Sequence, residues 1–130
     1  MIVKIPASIG ELVDKITILE IKKIKIKNKG KLKNINKEYK YLKIILRKKV
    51  KMNKKIKDEI KKLKKINSKL WRIEDSKRLA EKNKKFDAEF IKNARNVYIY
   101  NDRRANIKSN INNLTGSQIV EEKSYSDHDK

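Results

Sequence analysis

Apolar residues recur at helical spacing along nearly the whole of this 130-residue chain, with a few sharp interruptions. The first stripe runs through Ile9, Leu12, Val13, Ile16, Leu19 and Ile24, and Ile18, Ile21 and Ile26 widen it. This predicts a helix over 9–27 that packs against more than one neighbour. Ser8-Ile-Gly-Glu11 ahead of it has the form of a capping box, in which the serine hydroxyl accepts from the Glu11 amide. Asn28-Lys-Gly30 ends the helix, with Gly30 suited to a left-handed C-cap. A second stripe opens near Asn34 with Ile35, Tyr39, Leu42, Ile45 and Leu46, then weakens across 48–55. Met52-Asn53 offers a break there, with Asn53 as the next N-cap; one continuous helix is the alternative.

A third helix over 54–82 carries Ile56, Ile60, Leu63, Ile66, Leu70, Ile73 and Ala80 on one side. Asp87 is a good N-cap for a fourth, with Phe86 placed to staple against Ile91. Its face reads Phe90/Ile91, Ala94, Val97/Tyr98, Asn101, Ala105, Lys108 and Ile111, and Gly116 closes it after Leu114-Thr. The short turn between helices three and four forces an antiparallel hairpin, so residues 63–114 organise the rest. The expected fold is all-α: an antiparallel bundle of about four helices built from long hairpins. Ile2-Val-Lys-Ile is a short strand-like lead-in ended by Pro6, and Ile119-Val120 could pair with Ile2-Val3. One helical domain is expected over 1–125, with a disordered polar tail over 126–130.

Polar residues break the apolar faces at particular places. Glu20 falls on the first stripe, Glu74 follows Leu70 by one turn, and Asn101 and Lys108 stand where the fourth helix asks for apolar groups, with Arg104 adjacent. Glu74 and Arg78 are also an i, i+4 pair in the favourable order. Buried charges need partners or cost several kcal/mol each. The pattern therefore predicts an inter-helix cluster of Glu20, Glu74, Arg78, Arg95, Asn101, Arg104 and Lys108. Two readings stay open: an ion-pair network fixing helix register, or a pocket that binds an anionic small molecule.

Charge and composition narrow the chemistry. No cysteine is present, and the one histidine, His128, lies in the polar tail. Thiolate, Ser-His and His-rich metal chemistry are therefore not expected, and no phosphate-cradling glycine loop or dinucleotide fingerprint occurs. No cofactor or metal is expected, and an enzyme is the less favoured reading. The net charge of +21 comes from 31 lysines against 6 arginines, in company with 20 isoleucines and 13 asparagines. That is the signature of A/T-rich coding, which tempers a nucleic-acid reading. The excess is also lopsided, with 24 basic and 6 acidic residues in 1–70 but 13 and 10 in 71–130. No apolar run approaches the ~20 residues of a membrane span, and a cytoplasmic protein is expected.

Three blocks, Ser8-Ile-Gly-Glu-Leu-Val-Asp-Lys-Ile-Thr-Ile-Leu-Glu-Ile-Lys22, Leu70-Trp-Arg-Ile-Glu-Asp75 and Gly116-Ser-Gln-Ile-Val-Glu-Glu-Lys-Ser-Tyr125, carry a resemblance. Together with Ala94-Arg-Asn-Val-Tyr98 and Asn101-Asp-Arg-Arg-Ala-Asn-Ile-Lys108, the chain resembles a family of small bacterial proteins known only as a domain of unknown function. Lys77 departs from that pattern, which prefers an apolar residue there. The resemblance implies an all-helical protein and supplies no catalytic residue; it links the anion-binding alternative to surface-polysaccharide or glycosyl-transfer pathways. The residues favour a non-enzymatic module that binds a protein partner or itself. Nonspecific nucleic-acid binding by the basic half is a further alternative.

Overall fold

The computed structural model describes residues 1–119 and 122, and among these the regular structure is entirely helical. The helices are α1 (Ile9–Lys25), α2 (Lys29–Lys49), α3 (Lys54–Lys82) and α4 (Ala88–Thr115). The expected N-caps at Ser8, Asn53 and Asp87 are formed, each side chain accepting from the amide three residues on. Extended backbone at Val50 and Asn53 separates α2 from α3, so the two are not continuous. Val120, the partner expected for the N-terminal lead-in, lies outside the described residues, as does the 126–130 tail. Residues 1–7 form no regular element and are exposed.

Two local expectations change. Gly30 is not a C-cap: α1 ends at Lys25, and Asn28 already caps α2 by accepting from the Lys31 amide at 3.0 Å. The chain turns through extended conformations at Ile26 and Asn28, so no left-handed residue is needed there. Phe86 packs edge-on against Phe90, ring centroids 5.2 Å apart, and Ile91 is left 58% exposed.

The α3–α4 hairpin is the frame, and α1 lies across it while α2 docks on α1. Val13 and Ile16 of α1 meet Leu46, Leu63 and Ile111 in the central core, with Ile60, Ile107 and Tyr39 packed around them. Complete burial of side chains of this size contributes about 1.5–3 kcal/mol each. The core is confined to one end of the hairpin. Between Asn67 and Ile111, Ile73 is the only buried side chain, so the rest of the hairpin is a two-helix arm with no third helix over it. The α4 face predicted from its pattern is buried at Ile111 but exposed at Ile91, Ala94 and Tyr98. The cause is the reach of α1, whose 17 residues span about 25 Å at ~1.5 Å per residue.

Candidate functional site

The start of α1 sits directly on the backbone of α4. Its Gly10 amide donates to Asn112 Oδ1 at 2.7 Å, and the Ile9 amide donates to Ser117 Oγ at 3.2 Å. A β-carbon at Gly10 would stand 2.6 Å from the Lys108 carbonyl oxygen, so only glycine permits this approach. Glu11, one residue on, meets the Lys108 ammonium at 2.5 Å.

One turn further, Asp14 is 1% exposed and lies between α3 and α4. Its Oδ1 accepts from Arg104 Nε and from Asn67 Nδ2, both at 2.9 Å, and its Oδ2 accepts from Arg104 Nη2. Asn67 Nδ2 also donates to Thr17 Oγ1 at 2.9 Å, and the Thr17 hydroxyl donates to the Asp14 carbonyl at 2.8 Å. This hydrogen bonding to Asp14 raises the Arg104 guanidinium above its ordinary range; partial burial opposes it and loses. Three helices thus converge on one carboxylate. Among the described residues, no buried side-chain nitrogen or oxygen lacks a partner.

The residues expected to form one cluster divide among several places. Arg104 and Lys108 reach α1, where their partners are Asp14 and Glu11 rather than Glu20. Asn101 accepts a long 3.5 Å contact from Arg104 at the exposed rim. Glu20 stands apart, accepting from the Tyr39 hydroxyl at 3.2 Å with Lys64 at 3.8 Å. Desolvation raises the Tyr39 pKa above 10.0, and the neighbouring Glu20 charge adds to the shift. Glu74 is exposed and pairs with Lys77 on its own helix, while Arg78 and Arg95 are exposed on the arm. No third helix runs along that part of the hairpin, so these positions stay open to solvent.

Asp14, Thr17, Asn67 and Asn112 escaped the sequence reading, although a signal existed. Gly10, Asp14, Thr17 and Ile21 follow i, i+4, i+7, i+11, a second buried stripe beside the apolar one. Asn67 likewise falls one turn after Leu63 on the core face of α3.

Two cavities open elsewhere, both between the helices of the arm. The larger, about 590 Å³, is lined by Lys69, Arg72, Lys92, Asn93, Asn96 and Tyr100 among others. The smaller, about 260 Å³, lies toward the turn beside Leu79, Ala80 and Phe90. Among the described residues no group of three or more His, Cys, Asp or Glu side chains is placed to hold a metal ion. No described helix is long and apolar enough to cross a membrane.

The helices, their caps and the polar network draw on residues 8–117. No curated protein and no solved structure matches the chain. The model of a family of unknown function, DUF6165, matches residues 1–128, and the chain belongs to that family.

Proposed function

We propose that this protein is a non-enzymatic helical module that self-associates through the α3–α4 arm. The observation that carries this is the set of apolar side chains the arm exposes: Leu79 at 59%, Phe86 at 52%, Ile91 at 58% and Tyr98 at 46%. They lie where the fold provides no third helix. Charge favours a second copy as the occupant. Two chains of +21 repel, but residues 71–98 hold eight basic and five acidic groups, against nine and one in α2. The arm is therefore the surface over which two copies approach at least electrostatic cost.

Covering the half-exposed remainder of four such side chains on each copy contributes about 6–12 kcal/mol gross. Association costs about 4–15 kcal/mol, so the dimer is of modest affinity. The Asp14–Arg104 network, whose groups satisfy one another, belongs in this reading to the rigid base that carries the arm.

Size-exclusion chromatography with light scattering tests the proposal. Dimer mass is expected at high concentration, strengthened by added salt because salt screens like-charge repulsion. The I91E/Y98E double variant is expected to be monomeric with unchanged helical circular dichroism. A wild-type mass that stays monomeric up to about 0.5 mM overturns the reading.

Nonspecific nucleic-acid binding by α2 is the second reading, favoured by its nine-to-one charge ratio and by the exposed Tyr41 and Ile44 beside those lysines. It responds to salt in the opposite sense, since counterion release makes such binding weaken steeply as salt rises.

A further inference from the structure

We infer that the larger groove of the arm binds a small molecule through a diphosphate group. The seam of a helical hairpin ordinarily closes on apolar side chains, but here α4 turns Glu89, Asn93, Asn96 and Tyr100 toward α3, at i, i+4, i+7 and i+11. Opposite them, α3 presents Lys69, Arg72, Ile73 and Ser76. Polar and small groups in the seam leave about 590 Å³ open, within the usual size of a small-molecule site.

Cations stand on both walls, Lys69 and Arg72 on α3 and Lys92 on α4, with Glu89 the only acidic lining residue. Two-walled charge suits an anion with two phosphate centres, with the planar Arg72 fork able to take one of them in bidentate fashion. Asn93 and Asn96 are half-buried and make no side-chain hydrogen bond among the described residues, so their amides are free to donate to phosphate oxygens. Lys69 and Arg103 both lie over the Tyr100 ring, at 5.3 and 5.2 Å, which holds positive charge at the inner end of the groove. A chain of +21 attracts anions everywhere, so charge alone confers no site. The lysines of α2 line the outer face of a single helix, whereas the groove gathers its cations around a recess that focuses their field.

Heteronuclear NMR titration of the full chain, at physiological salt, tests this with inorganic diphosphate and with ADP as separate probes. Saturable shifts are expected at the side-chain amides of Asn93 and Asn96 and at Tyr100. R72Q and K92Q are each expected to weaken binding at least about tenfold, the loss of one charge-assisted contact, while K40Q on α2 leaves it unchanged. Equal affinity for both probes assigns recognition to the diphosphate alone; tighter ADP binding assigns a nucleotide. Shifts spread equally over the α2 lysines, equal losses in K40Q and R72Q, or no saturation by about 10 mM of either probe overturn the proposal.

Discussion

Asp14 and Arg104 form a two-pronged ion pair in which the carboxylate is 1% exposed and the guanidinium side chain 29%. That asymmetry decides which deletion is worse. Without Arg104 the carboxylate stays buried with Asn67 alone, among the described residues, to donate to its oxygens. Without Asp14 the guanidinium can swing to water. R104M is therefore expected to cost about 3–5 kcal/mol, the penalty of a buried charge left without its partner. D14N keeps the shape and one acceptor and is expected to cost less. The D14L/R104M pair should recover much of the R104M loss, because no unpaired charge remains. Urea unfolding followed by circular dichroism measures all three, and a D14N loss larger than that of R104M would contradict the assignment.

Gly10 makes a separate, purely steric prediction. Its missing β-carbon leaves room for the Lys108 carbonyl oxygen, a backbone atom that cannot rotate away, and for Asn112 Oδ1. G10A, normally favourable inside a helix, should here push α1 from α4 and cost about 1–3 kcal/mol. G30A, where the nearest atom is the Asn28 side-chain oxygen at 3.3 Å, should cost little. Thermal unfolding of the two variants side by side checks the contrast.

The gap between the sequence reading and the structure has one physical root. Caps and local periodicity are properties of a few consecutive residues, so Ser8, Asn53, Asp87 and Gly116 were legible. Partner choice is not local. Arg104 and Lys108 announced themselves as polar groups on a buried face, but nothing within α4 says that Asp14 and Glu11 answer them. A carboxylate beside Val13 on an amphipathic helix reads as an edge residue until a second helix covers that edge. Glu74, Arg78 and Arg95 were drawn into the cluster because a helical stripe does not record where the covering helix stops.

Tyr39 gives the pH dependence. Burial, with Glu20 beside it, raises the phenol pKa above 10.0, so the folded state holds this proton more tightly than the unfolded chain. Its contribution to stability is complete below pH 10.0 and is lost as pH climbs through the raised value. The lysines titrate in the same range, so the measurable quantity is the difference between wild type and Y39F. That difference, about 1 kcal/mol or less at neutral pH for one hydrogen bond to a partly exposed carboxylate, should be flat to pH 10.0 and fall beyond it. Chemical denaturation of both proteins across this range checks the sign; a difference that grows with pH would refute it.

Two helix ends in this protein use the same closing motif with different residues at its critical position. At the end of α4, Gly116 takes φ 64° and the Ser117 amide donates back to the Asn112 carbonyl at 2.9 Å. At the end of α3, Lys84 takes φ 54°, the Lys85 amide reaches the Ala80 carbonyl at 2.9 Å and the Lys84 amide reaches Glu81 at 3.2 Å. Both are Schellman closures, which favour glycine because a β-carbon in the left-handed region costs roughly 1–2 kcal/mol. Glycine's greater freedom in the unfolded chain takes back part of that gain. K84G is therefore expected to stabilise the protein by about 0.5–1 kcal/mol, and G116A to destabilise it by about 1 kcal/mol. The two substitutions are far apart along the hairpin, so their effects should add in the double variant. Unfolding midpoints of the two single variants and the double variant test the signs and the additivity. A destabilised K84G would mean that the lysine side chain makes a contact at the turn that outweighs its backbone strain.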